Sequence, residues 1–118
     1  MKRDLDLIRQ ILLALEDRPN DRRLLSLSIE NTDEATLFGH VELLEEAGLL
    51  EGQDVTMLGT PYRKIVPIRL TWSGHEFIDA VRNDTVWRKV KDQGRDLPFT
   101  VVKELAVVIL RTTLGLGG

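Results

Sequence analysis

The sequence predicts an α+β fold of the winged-helix type: a helix, a short strand, a recognition helix and a two-stranded wing, followed by a C-terminal helical extension. Three observations predict it. An amphipathic helix closes on Leu43-Leu44-Glu45-Glu46-Ala47-Gly48-Leu49-Leu50 and runs straight into two short strands. The returning strand then ends in Arg69-Leu70-Thr71-Trp72-Ser73-Gly74, which is a helix start. Finally, 118 residues suffice for one hydrophobic core and not for two independent ones. Residues 1–94 are read as the winged-helix-like domain with its following helices. Residues 95–118 form a terminal helix and tail, part of the same domain or a dimer contact.

The first helix follows from Asp4, a capping residue, and from the apolar stripe Leu5, Ile8, Leu12 and Leu15, widened by Ile11. It stops near Asp17, ahead of Arg18-Pro19-Asn20. Residues 24–29 alternate in the manner of a short strand rather than of a second helix. Glu30-Asn31-Thr32-Asp33 supplies turn and cap chemistry, with Thr32 or Asp33 placed to accept from the next helix's free amides. That helix, about residues 34–47, buries Leu37, Val41, Leu44 and Gly48, and Gly48 provides its left-handed ending. Leu49 and Leu50 open the first wing strand, which is expected to reach Val55 to Met57. The second spans Ile65 to Leu70, with Pro67 marking an edge or an irregularity.

Between the strands, Leu58-Gly59-Thr60-Pro61-Tyr62-Arg63-Lys64 is a loop centred on turn residues. Thr71 is placed to cap a helix from Trp72 to about Arg82 that turns Phe77, Ile78 and Val81 inward. Asp84 restarts a helix carrying Val86, Trp87 and Val90, which Gly94 ends. The last helix starts after Asp96-Leu97-Pro98 and runs to Leu114, where Gly115 stops it. From Val101 to Leu110 it is apolar on nearly every side, broken only by Lys103 and Glu104, which is more than one core usually covers, and a homodimer through Phe99 to Leu114 is expected.

Composition excludes several classes. At 42% hydrophobic and 30% charged residues the chain is neither disordered nor membrane-like, and no apolar run approaches the roughly 18 residues of a span. The opening residues lack the apolar core and cleavage site of a signal peptide, so a cytoplasmic location is expected. Having no cysteine, the chain can form neither disulfides nor thiolate metal sites. The net charge of −3 is uneven: residues 1–60 carry six basic and thirteen acidic side chains, whereas 61–95 carry eight and four.

Several of these stretches together resemble a bacterial and prophage family of unknown function. The matching pieces are Met1-Lys2-Arg3-Asp4 with Asp6-Leu7-Ile8-Arg9, His40-Val41 with Leu43 to Leu49, Arg69-Leu70-Thr71-Trp72 with Gly74-His75-Glu76-Phe77, and Asp84-Thr85 with Trp87. The Leu-Glu-Glu-x-Gly-Leu and Leu-Thr-x-x-Gly pieces are also similar to those of winged-helix transcription regulators. That similarity implies a helix-turn-helix-like, DNA-binding ancestry. The departure lies at residues 19–32, where no second helix is legible.

Two surfaces are candidates for a partner. Arg22, Arg23, Tyr62, Arg63 and Lys64 form a wing-side group suited to phosphate contacts, and a DNA-binding regulator is the leading reading. The helix face opposite Leu37, Val41 and Leu44 contains Ala35, Gly39, Glu42, Leu43 and Glu46, flanked by Phe38, with no Lys or Arg. This acidic, partly apolar face supports the alternative, a protein-binding winged helix acting as an adaptor or as an inhibitor of a host factor. Gly39 within a helix costs about 1 kcal/mol relative to alanine and suggests close approach by a neighbour.

Catalysis has the least support. His40 and His75 lie in no ligand-spaced cluster, and each is expected to be buried and hydrogen-bonded. No phosphate loop, nucleophile elbow or dinucleotide fingerprint is present, and no metal or cofactor is expected. Trp72 and Trp87 are both expected to pack in a core rather than to stack on bases.

Overall fold

The computed structural model describes residues 1–23 and 27–115. Their fold is α+β, with five helices and one two-stranded antiparallel sheet among the described residues. The chain divides into two compact units, Met1–His75 and Glu76–Gly118.

In the first unit, α1 (Leu5–Asp17) begins where the Asp4 carboxylate accepts from the Asp6 and Leu7 amides at 3.0 and 3.2 Å. Its expected stripe is buried, and Leu7 joins it. The strand expected at 24–29 lies partly outside the described residues; Leu27, Ser28 and Ile29 adopt no regular structure. The chain then turns at Asn31, whose φ of 61° is a left-handed conformation that asparagine tolerates. Asp33, rather than Thr32, caps α2 (Glu34–Glu46), accepting from the Thr36 amide at 3.3 Å.

Helix α2 ends as the sequence predicts. Gly48 takes φ +77°, and the Leu49 amide donates back to the Leu44 carbonyl at 3.0 Å, closing the helix so that the chain can reverse. Strands β1 (Leu50–Asp54) and β2 (Ile65–Leu70) pair from Leu50 opposite Leu70 to Asp54 opposite Ile65. The first strand is shorter than expected: Val55 adds one further bond, to the Lys64 carbonyl at 2.9 Å, and Thr56 and Met57 belong to the loop. The irregularity foreseen at Pro67 is a register shift between Glu51 and Gly52, which sets Gly52 opposite Pro67. A side chain at Gly52 would collide with Ile65 and with the Val66 carbonyl, so this crossing admits only glycine.

Helix α3 (Trp72–Val81) starts where the Thr71 hydroxyl accepts from the Gly74 amide at 3.1 Å and donates to the Gly48 carbonyl. The first unit's core thus lies between α1, α2 and the sheet, and its fully buried members include Ile8, Ile11, Leu12, Val41, Leu44 and Ile65. The order helix, helix, hairpin is compatible with a winged-helix layout.

The second unit contains the remainder of α3, α4 (Asp84–Gly94) and α5 (Phe99–Thr113). Asn83 caps α4 through the Thr85 and Val86 amides at 2.8 and 3.1 Å. Val86, Trp87 and Val90 of α4 are buried with Val102, Ala106 and Ile109 of α5. Gly94 lies against Val102 and Leu105, and Phe77 meets Phe99 with ring centroids 5.3 Å apart.

Candidate interaction surface

The β1–β2 hairpin, expected to be the wing, does not project freely; it folds over the first half of α2. Tyr62 lies nearly parallel to Phe38, with centroids 6.4 Å apart, and the Lys64 ammonium sits 5.2 Å from the same Phe38 ring. Lys64 also pairs with Glu34 at 3.0 Å. Arg63 pairs with Asp54 at 3.0 Å and reaches Glu42 at 3.9 Å. Lys64 and Arg63 are therefore each met by an acid of α2, Glu34 and Glu42, and do not form a surface independent of that helix.

The same pairing recurs on the sheet's side of this unit. Arg22 holds Glu51 at 2.9 Å, Arg69 holds the other oxygen of Glu51 at 2.7 Å, and Arg23 holds Asp21 at 2.9 Å. Hydrogen bonds from the two arginines hold the Glu51 carboxyl below its usual range. Asp54 is pulled down to about 2, first by the Thr56 hydroxyl and amide and then by Arg63. Asp21 is likewise lowered to about 2, chiefly by hydrogen bonds from Arg23. Tyr62 moves the other way, because partial desolvation and the nearby Glu34 charge both disfavour its phenolate. The structure thus brings Tyr62, Arg63 and Lys64 together, whereas Arg22 is tied to Glu51 of β1 and Arg23 to Asp21 in its own segment.

Among the helix-face residues, Ala35, Leu43 and Glu46 are exposed, and Glu42 is half-covered beside Arg63. Phe38 departs from expectation: it is buried beneath Tyr62 and Lys64 and cannot serve as an exposed anchor. The neighbour foreseen at Gly39 is the Met1 side chain, whose thioether occupies the space a Cβ would need. Flexible side-chain atoms fill that space, so Gly39 needs no partner molecule to account for it.

His40 is fully buried, as expected. Its Nδ1 donates to the Thr36 carbonyl at 2.8 Å, while Nε2 accepts from the Asp4 amide at 2.8 Å. This is the neutral tautomer with both nitrogens engaged, a structural bolt between α2 and the start of α1. His75 differs from expectation in being exposed. Among the described residues, no group of three or more His, Asp or Glu side chains is arranged to hold a metal ion.

Two residues missed by the sequence reading matter here. Arg18 is largely buried and donates to the Ile68 carbonyl at 2.8 Å and to Asp21 at 2.9 Å, fastening the segment after α1 to β2. Trp72 is not a core residue but is 80% exposed. It is the first residue of α3 and follows Thr71, which is bonded to the Gly48 carbonyl just beyond α2. Trp72 therefore follows directly on the hydrogen bond that fastens Thr71 to the residue after the α2 C-cap.

Behind the wing, an open groove of about 590 Å³ is lined by apolar residues including Leu27, Ile29, Leu37 and Val66, with Glu34 and Lys64 among its walls. None of the described helices is long and apolar enough to cross a membrane. Along residues 2–98 the chain matches the family described as "Hypothetical protein (DUF2513)". It is also 39% identical to an uncharacterized protein of Haemophilus influenzae (strain ATCC 51907 / DSM 11121 / KW20 / Rd), over 97% of this chain and 99% of that protein. No solved structure matches it.

Proposed function

The chain belongs to the DUF2513 family, and from that premise we propose that it is a non-enzymatic winged-helix binding module whose partner is a protein. The observation that carries this reading is the pairing of the wing-side cations. Arg22, Arg23, Arg63 and Lys64 each hold a carboxylate of the same chain. Much of the drive for DNA association comes from releasing counterions condensed on the phosphates. An arginine that must first give up a tethered carboxylate gains correspondingly less from a phosphate. The second half of α2 adds Glu45 and Glu46 without a basic residue, which repels a phosphate-lined groove and suits a basic protein surface.

Trp72 and Leu43 are the anchors of this surface. Exposed tryptophans are enriched among residues that dominate interface energy, and an acidic rim steers a basic partner. The partner's matching feature is an apolar pocket bordered by Lys or Arg. The DNA-regulator reading retains one favourable observation: Tyr62, Arg63 and Lys64 do lie together on a hairpin beside α2.

Fluorescence anisotropy with mixed-sequence duplex DNA separates the two. The protein reading expects no binding even at low salt. Binding that weakens in Arg63→Ala/Lys64→Ala, with the salt slope falling by about two, one for each lost phosphate contact, would establish the regulator reading instead. In the native host, crosslinking followed by purification should recover a protein that Trp72→Ala/Leu43→Ala loses and the wing variant keeps.

A further inference from the structure

We propose that α5 carries a self-association seam through which two copies of this chain pair with their α5 helices antiparallel. The proposal concerns the second unit and is independent of what the first unit binds.

One side of α5, formed by Val102, Ala106 and Ile109, is buried. A different side presents Val101, Leu105, Val108 and Thr112, separated by four, three and four residues, which is the spacing of a coiled-coil core. Val101 and Val108 are 40% and 59% exposed. A valine pair left in water at that spacing gains by burial against a helix of the same kind.

The flanking charges identify the occupant as a second copy. Glu104 and Arg111 both lie on one flank of the seam and are exposed, and their side chains have no hydrogen bond or ion pair among the described residues. Seven residues of helix separate them by about 10.5 Å, too far to pair with each other. When two helices are related by a two-fold axis perpendicular to their length, the same flank of each faces the other in reversed order. Glu104 then meets Arg111 of the second copy, and Arg111 meets Glu104. The flank is its own complement, the property a symmetric interface requires. The two ion pairs fix register and direction, while the valines and Leu105 supply the apolar contact.

Sedimentation velocity at micromolar concentration is expected to show a dimer. Val101→Glu/Val108→Glu should yield a monomer with unchanged helical circular dichroism. Glu104→Arg and Arg111→Glu should each weaken the dimer by about tenfold, because each sets like charges opposite one another, and combining them should restore it. A wild-type monomer under these conditions, with the α5 face shielded within its own chain, overturns the proposal. A dimer indifferent to both the valine and the charge variants overturns it equally, since association would then use another surface.

Discussion

A single histidine shows how much can rest on one buried polar side chain. His40 satisfies the Asp4 amide and is itself satisfied by the Thr36 carbonyl. His40→Ala leaves that amide without its partner and opens a cavity, and is expected to destabilise the protein by about 2–3 kcal/mol in urea unfolding. Glycines divide by what surrounds them. At Gly74 an added methyl meets the Leu49 backbone carbonyl, which cannot give way without moving the strand entry, so Gly74→Ala should lower the urea midpoint. At Gly39 it meets only the end of Met1, so Gly39→Ala should be neutral or stabilising by up to about 1 kcal/mol, the helix-propensity gain. The Asp4 cap, the Gly48 ending and the burial of His40 were legible because each depends on a local pattern. Trp72 was not: periodicity marks it as helical, but the first residue of a helix precedes the turn that would fix which way it faces.

Between elements, sequence reading located the hairpin and α2 but not their embrace. Phe38 sits beside the Leu37 and Val41 stripe and is covered only because Tyr62 and Lys64, more than twenty residues on, come back across it. No local periodicity contains that information, and the same holds for Arg18 reaching β2. The embrace has a pH signature. Asp54 titrates at about 2 when folded against an ordinary 3.8, so its contribution is fully present above 3.8 and disappears as pH falls through about 2. Acidification from pH 5 to pH 2 should therefore loosen the hairpin, read as faster exchange of the Val55 and Lys64 amides. Asp54→Asn should exchange faster at pH 5 and show a smaller change across that range. If the wild type and the variant respond to acid alike, Asp54 does not hold the wing.

At the scale of the whole molecule, the uneven charge seen along the chain falls into the two units: the first has thirteen acidic and nine basic side chains, the second six and seven. Division of the chain at His75 was not legible, because α3 reads as continuous and contact between distant segments defines the boundary. If α5 pairs two copies, thermal stability is linked to mass action. The unfolding midpoint should rise with protein concentration for the wild type and stay constant for Val101→Glu/Val108→Glu. A concentration-independent midpoint in the wild type would count against the seam. Such pairing closes on itself, and the sheet offers little opportunity to extend it. Pro67 in β2 has no N–H to donate, and the neighbouring Ile68 carbonyl already accepts from Arg18. A stray strand approaching β2 from outside would find one donor missing and one acceptor taken, so this edge of the hairpin is poorly suited to template the edge-to-edge stacking by which exposed β-strands grow into fibrils.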